Sequence, residues 1–156
     1  MRLTKTSLLD APPAWVWERI VDPDAMQRVA APLVAIEPED PPAFPERWAE
    51  GETYETRLKL LGLLPAGEQT IAPRELVEDE AESYYRFEDD GHGTLFPTWN
   101  HVMTVQATSD GRTVYTDEIE VGAGPLTPVA YLATAAFVAH RHRRWRSIVD
   151  EEAPTP

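Results

Sequence analysis

Short stretches of the chain alternate between apolar and polar residues, and this alternation predicts β-strands. In residues 54–60 the side chains of Tyr54 and Leu58 fall on one face, while charged side chains occupy the other. This is the pattern of a strand with one buried face. Similar patterns predict further strands at residues 3–9, 33–36, 68–77, 82–88, 99–108 and 112–121.

Glycine and proline indicate where these strands end. Residues 62–67 predict a turn and residues 89–93 a loop, because both segments are interrupted by glycine. Residues 37–50 contain several prolines, which cannot donate to a central sheet ladder, so this segment is predicted to be a loop or a sheet edge. Pro73 predicts a kink in the strand that contains it.

Helices are predicted near both ends of the chain. Asp10 is placed to cap a first short helix that ends before Pro23, and residues 24–31 predict a second one. Residues 126–149 predict one helix of about 36 Å. The first half of this helix is apolar nearly all round, so it is expected to be enclosed on most sides. The pattern predicts an α+β fold in which a curved antiparallel sheet wraps around the long C-terminal helix.

The loop between the last two strands predicts their register. Residues 109–111 have the sequence Ser-Asp-Gly, typical of a three-residue hairpin loop, which would pair Thr108 with Arg112. One face of the hairpin is then mainly apolar, with His101 and Asp117 as its polar members. A two-residue turn would shift the register by one and mix the two faces. His101 and Asp117 are therefore predicted to be diagonal neighbours on the inner face, about 7–8 Å apart at Cα.

Length and charge limit the possible functions. The 156 residues fit one domain, predicted over residues 1–150, with a frayed tail at residues 151–156. The net charge of −13 disfavours nucleic acid and anionic membranes as partners. The most apolar segment, residues 126–139, is shorter than the ~20 residues of a membrane span. The chain has no cysteine and no apolar run typical of a signal peptide, so we expect a cytoplasmic protein.

Neither a metal site nor a cofactor is predicted. The sequence has no nucleophile elbow, phosphate-binding loop, dinucleotide fingerprint or zinc-protease motif. His140 and His142 lie two residues apart on a helix and point in different directions, and His92 is expected to be solvated. The basic cluster at residues 140–146 is expected to interact with the helix dipole and acidic neighbours rather than with a bound anion.

The order of elements resembles the helix-grip arrangement of the START-like superfamily, also called SRPBCC or Bet v1-like, which includes polyketide cyclase-like members. The segment Asp10-Ala-Pro-Pro-Ala-Trp-Val-Trp looks like the family's strand-to-helix junction. Residues 87–101 look like the central strands of its small bacterial branch, and residues 116–145 look like the end of that branch. The resemblance implies a cavity between the sheet and the long helix. It implies no single activity, since members bind lipids, hormones or pigments, or cyclise polyketides.

The leading functional hypothesis is the binding of a small apolar or aromatic molecule in this cavity. The predicted ligand-binding residues are Tyr54, Leu58, Tyr85, Phe87, Trp99, His101, Met103, Tyr115, Asp117 and Phe137.

Two alternatives remain open. In a cyclase or dehydratase, Asp117 would orient His101 as a general base, although the two side chains also suffice to satisfy each other as buried polar groups. In a non-binding interaction module the core would be filled. A cavity of roughly 300–1,000 Å³ favours the first two hypotheses, and water-sized voids favour the third. No particular oligomeric state is predicted.

Overall fold

Eight antiparallel strands, two short helices and one long helix form residues 1–155, the part of the chain that the computed structural model describes. The helices are α1 (Pro13–Ile20), α2 (Pro23–Ala30) and α3 (Thr127–Glu152). The strands are β1 (Arg2–Leu9), β2 (Val34–Asp40), β3 (Tyr54–Leu60), β4 (Leu64–Ile71), β5 (Pro73–Asp79), β6 (Tyr84–Gly93), β7 (Thr98–Ala107) and β8 (Thr113–Gly122).

The strands form one sheet in the order β1-β8-β7-β6-β4-β3-β2, and β5 pairs with the first part of β6. The second half of α3 packs against α2, β1 and β8. This arrangement is the predicted α+β helix-grip fold. β2 lies at one edge of the sheet, which accommodates Pro38 because an edge residue needs no ladder donor on its outer side.

The starts of the short helices differ from the sequence prediction. Pro12, and not Asp10, is the residue that precedes α1, and no side chain caps the helix there. Asp10, just after β1, instead pairs with Arg112, just before β8, with 3.4 Å between its Oδ1 and the guanidinium Nη1. α2 is capped by Asp22, which accepts a hydrogen bond of 2.8 Å from the backbone N–H of Asp24.

The predicted register of the last hairpin is confirmed. His101 lies opposite Ile119, and the backbone N–H of Thr108 donates to the carbonyl oxygen of Arg112 over 2.8 Å. Gly111 has a φ of +83°, the left-handed conformation that glycine adopts without a steric penalty. The inner face of the hairpin therefore carries the side chains that the sequence pattern assigned to it.

The predicted loop and most of the predicted turn are strands, and only residues 62 and 63 form a turn as predicted. Residues 64–67 belong to β4, and residues 89–93 belong to β6. The glycines in β6 are required by a close approach of β4: a Cβ at Gly91 would lie 2.3 Å from the carbonyl oxygen of Thr70. Glycine inside a strand is typical of such an approach, so in this case it does not end the strand. The predicted kink at Pro73 is a full break that separates β4 from β5.

The long helix is continuous, but the prediction that its first half is enclosed is wrong. Val129 and Leu132 are 65% and 67% exposed, and Phe137 is only partly buried. Sheet and helix diverge at this end, so apolar residues of the helix face solvent or an internal space. The second half is anchored in the core by Trp145 and its neighbours. The helix also extends into the predicted tail, and the single-domain assignment stays a prediction.

Within residues 1–155 no helix combines the length and the hydropathy needed to cross a membrane.

Candidate functional site

A cavity of about 400 Å³ lies between the first half of α3, the helix α2 and the inner face of the sheet. Most of its lining residues are apolar, among them Leu58, Trp99 and Phe137. Leu60 and Leu95 also line it and are 44% and 51% exposed. The cavity therefore has an apolar wall that reaches the surface where β3 ends and the β6–β7 connection begins.

Six of the ten predicted ligand-binding residues line a cavity. Leu58, Trp99, His101 and Phe137 line the large cavity, and Phe87 and Met103 line a smaller neighbouring cavity of about 40 Å³. His101 lines both cavities. Contact of these residues with a ligand stays a prediction.

The other four predicted residues line neither cavity. Tyr85 stacks on Trp17 with 5.4 Å between ring centroids, and Tyr54 packs edge-on against Trp48 at 4.9 Å. Tyr115 and Asp117 are buried behind His101 in a polar cluster. The side chains of all four residues lie within the core, where they support the cavity wall.

His101 and Asp117 are joined directly. The Nε2 atom of His101 lies 2.8 Å from Oδ1 of Asp117, and both side chains are buried. Burial lowers the pKa of His101, and the nearby Asp117 charge opposes this effect only in part. A neutral ring that donates from Nε2 keeps a lone pair on Nδ1. His101 therefore presents a hydrogen-bond acceptor, or a weak base, on the side away from Asp117.

Asp117 is the centre of a larger buried network. Its Oδ1 accepts a second hydrogen bond from the hydroxyl of Tyr115 at 2.6 Å, and its Oδ2 lies 3.2 Å from Nε2 of His142. Nε of Arg141 is 3.6 Å from the same oxygen. Burial alone would raise the pKa of Asp117, but the Arg141 charge and the hydrogen bonds lower it well below its usual value. Asp117 is therefore ionised and compensates the buried guanidinium.

Sequence reasoning missed Arg141 and His142. Both were assigned to a basic cluster that interacts with the helix dipole and acidic neighbours, yet they are 6% and 1% exposed. Arg141 lines both cavities, and a nitrogen of its guanidinium donates to the Tyr115 hydroxyl over 2.9 Å. Helical spacing is the sequence feature that indicates this burial. Arg141 comes three residues after Val138 and four before Trp145, on the buried stripe of the helix.

Asp89 was also missed, because residues 89–93 were assigned to a loop. It is 7% exposed, lines both cavities and lies directly opposite His101 in the β6–β7 pair. Its Oδ1 accepts a hydrogen bond of 2.7 Å from the backbone N–H of Ala72. Burial raises the pKa of Asp89 to about 7, although this hydrogen bond opposes the effect. The signal was the alternation of Tyr85, Phe87 and Asp89, which continues through the supposed loop.

The polar groups around the cavity do not form an evident metal site. Across residues 1–155, no group of three or more His, Cys, Asp or Glu side chains is arranged to hold a metal ion. The arrangement suits hydrogen bonding to an organic molecule: one donor–acceptor carboxyl group and one imidazole at the end of an apolar space.

Solved structures with the same fold come from several sources. Protein CV1439 from Chromobacterium violaceum aligns with a TM-score of 0.71 at 15% identity, over 95% of this chain and 96% of that one. Ginseng major latex-like protein 151 from Panax ginseng aligns with a TM-score of 0.63 at 15% identity, over 99% of this chain and 98% of that one. The Zhui aromatase/cyclase from Streptomyces sp. R1128 aligns with a TM-score of 0.63 at 12% identity, over 96% of this chain and 93% of that one.

At these identities the structural matches establish the fold, which is START-like, or Bet v1-like. No curated protein matches the sequence. A family model matches residues 7–148, nearly the whole chain. The chain therefore belongs to the family described as Domain of unknown function (DUF8410).

Proposed function

We propose that the protein binds a small, largely apolar molecule in the cavity between α3 and the sheet. The observation that carries this proposal is the cavity itself, about 400 Å³ in volume and lined mainly by carbon. Ligand pockets are typically 300–1,000 Å³, apolar, and supplied with a few polar groups that orient the ligand. A filled core, as in a purely structural module, would leave only water-sized voids.

The shape of the wall supports the same proposal. Phe137 and the small residues Ala133 and Ala136 line the cavity on the side of α3, and Leu58 lines it on the side of β3. Small side chains on the helix leave the space that larger ones would fill. The partly exposed Leu60 lines the route by which a ligand reaches this space from solvent.

Native mass spectrometry of the purified protein tests the proposal directly, because a co-purified molecule would appear as an added mass that denaturation removes. Calorimetric titration with ethylbenzene supplies a second test on protein freed of any such molecule. Ala136→Trp puts an indole ring into the cavity and should abolish binding. Ala81→Trp, on the exposed β5–β6 turn, is the matched control and should bind as the wild type does.

Two results would contradict cavity binding. One is the absence of both a co-purified molecule and ethylbenzene binding in the folded wild type. The other is equal binding by Ala136→Trp and Ala81→Trp, which would place any bound probe on the outer surface.

A second candidate is a cyclase- or dehydratase-type enzyme in which Asp117 orients His101 as a general base. The 2.8 Å contact between the two side chains favours it, and one structural relative is an aromatase/cyclase by name. His101→Gln should then lower turnover of a synthetic β-hydroxyketone by ~10²–10⁴ while the fold persists. Binding ranks first because few groups around the cavity are placed to stabilise a developing charge.

A further inference from the structure

Asp89 is the single acidic side chain among the residues that line the large cavity. Its carboxyl group is almost completely buried, and one of its oxygens is held by the Ala72 backbone N–H. Within residues 1–155, the donors beside it are the Ala72 backbone N–H and the indole of Trp99, and no cation is hydrogen-bonded to it. A buried carboxyl group without a charged hydrogen-bond partner is a candidate for contact with a ligand.

The charged and titratable groups around Asp89 come from four elements. Asp90 is its neighbour on β6, with its side chain half exposed on the other face of the strand. His101 faces it from β7, Arg141 from α3, and Arg19 from α1 across the small cavity. The wall of the small cavity contributed by α2 and β4, Met26, Val29 and Ile71, is apolar.

The cations among these groups are already engaged. Asp117 compensates the charge of Arg141, whose guanidinium also donates to Tyr115, although its Nε has no hydrogen-bond partner within residues 1–155. Arg19 donates to the carbonyl oxygen of Trp15 over 3.2 Å, and its guanidinium carbon lies 3.5 Å from the centre of the Trp15 ring. An anionic ligand head in the large cavity would meet no uncompensated cation, because Arg19 lines only the small cavity. Burial of such an unpaired charge typically costs far more than burial of an uncharged polar group.

We propose that Asp89, in its acid form, donates a hydrogen bond to an uncharged oxygen of the ligand, and that the ligand is therefore an apolar alcohol, phenol or ketone rather than a carboxylate. This inference rests on the proposed cavity binding. It deepens that function by naming the chemical class of the ligand's polar end and the side chain that holds it.

The pairing of Asp89 with His101 explains why both kinds of oxygen fit. A carbonyl oxygen accepts from the Asp89 hydroxyl alone. A ligand hydroxyl accepts from Asp89 and also donates to the free Nδ1 lone pair of His101. Both contacts are within reach because the two residues lie directly opposite each other on the adjacent strands β6 and β7. The pKa of Asp89, about 7 because of burial, keeps the donor form populated in neutral and mildly acidic solution.

Acetophenone and ethylbenzene test the proposal, because they have nearly the same shape and differ by a carbonyl group in place of a methylene. We would measure both dissociation constants by calorimetry at pH 5.5 and pH 8.5. For the wild type, the affinity of acetophenone relative to ethylbenzene should fall roughly 3- to 10-fold between the two pH values, the loss of about one hydrogen bond. Benzoate should bind more weakly than acetophenone at both pH values.

Three variants separate the proton on Asp89 from other causes. Asp89→Asn keeps an N–H donor at every pH, so its relative affinity for acetophenone should be high and independent of pH. Asp89→Leu removes the donor, so its relative affinity should be low at both pH values. Asp90→Asn is the matched control: its carboxyl group lies on the opposite face of β6, and it should behave as the wild type does.

The failures of this proposal and of cavity binding are distinguishable. If both probes bind the wild type but their relative affinity is the same at both pH values, Asp89 does not hold the ligand, while cavity binding stands. Benzoate binding better than acetophenone would also overturn the proposal. If the folded protein binds neither probe, cavity binding fails, and this inference fails with it.

Discussion

Replacement of Asp117 by Asn should destabilise the protein strongly, because this carboxylate compensates a buried guanidinium. Its oxygens accept hydrogen bonds from His101, Tyr115 and His142 at 2.8, 2.6 and 3.2 Å, and Arg141 lies 3.6 Å away. Asn has a similar size but no charge, and it presents N–H groups where one of these oxygens was.

The expected magnitude follows from the burial of both partners. The side chains of Asp117 and Arg141 are 0% and 7% exposed, so solvent cannot replace the lost charge. Removal of one member of a buried ion pair costs about 3–5 kcal/mol, because the other charge is left without compensation. Loss of the individual hydrogen bonds, about 1.5–3 kcal/mol each when one group is charged, overlaps with this value and is not added to it.

Urea unfolding at pH 7, followed by circular dichroism and tryptophan fluorescence, measures the loss in the free energy of unfolding. The second arm is a double-mutant cycle with Arg141→Met, since the double variant has no unpaired buried charge. The free energy of unfolding of the double variant should exceed, by about 0.5–3 kcal/mol, the value expected from adding the losses of the two single variants. Glu118→Gln changes an exposed carboxylate on the same strand and should stay within about 0.5 kcal/mol of the wild type.

The reasoning would be refuted by a loss below about 1 kcal/mol in Asp117→Asn, or by strict additivity in the cycle. Either result would show that the guanidinium does not depend on this carboxylate.

Three further predictions concern stability. The pKa of Asp89 is about 7 in the folded protein, against an ordinary value of 3.8. The free energy of unfolding of the wild type should therefore fall as the pH rises from 3.8 to about 7. In urea unfolding, the stability of Asp89→Asn should exceed that of the wild type by about 4 kcal/mol above pH 7. Phe137→Ala should cost less than the ~3–5 kcal/mol expected for Trp145→Ala in thermal unfolding, because only Trp145 is fully in the core. Gly91→Ala should lower the melting temperature, since its Cβ would lie 2.3 Å from the Thr70 carbonyl oxygen.

Features governed by local geometry were predictable from the sequence. The hairpin register followed from the period of two and from a glycine at the position that needs a positive φ, as Gly111 shows. The continuous helix α3 followed from its length and composition, and the order of elements then led to the helix-grip fold. These features depend on residues close together in the chain, so the sequence pattern reports them directly.

Within the site, the contact between His101 and Asp117 was predictable because it lies inside one hairpin. The roles of Asp89 and Arg141 were not predicted, although their spacing along strand and helix was consistent with burial. An aspartate beside glycines and an arginine in a basic run are usually exposed, and only the segments packed against them exclude water. Sequence reasoning therefore placed Asp89 in a loop and Arg141 in a basic cluster beside acidic neighbours.

By itself, the sequence determined most of the strands, all three helices and which face of the last hairpin points inward. Only the tertiary structure decided whether the space beneath α3 is filled or open, because a void depends on how far apart the surrounding elements settle. The same holds for the burial of Arg141, whose counter-charge at Asp117 comes from a strand more than twenty residues earlier. Local pattern sets conformation, while burial and charge compensation are properties of segments that meet only in the folded chain.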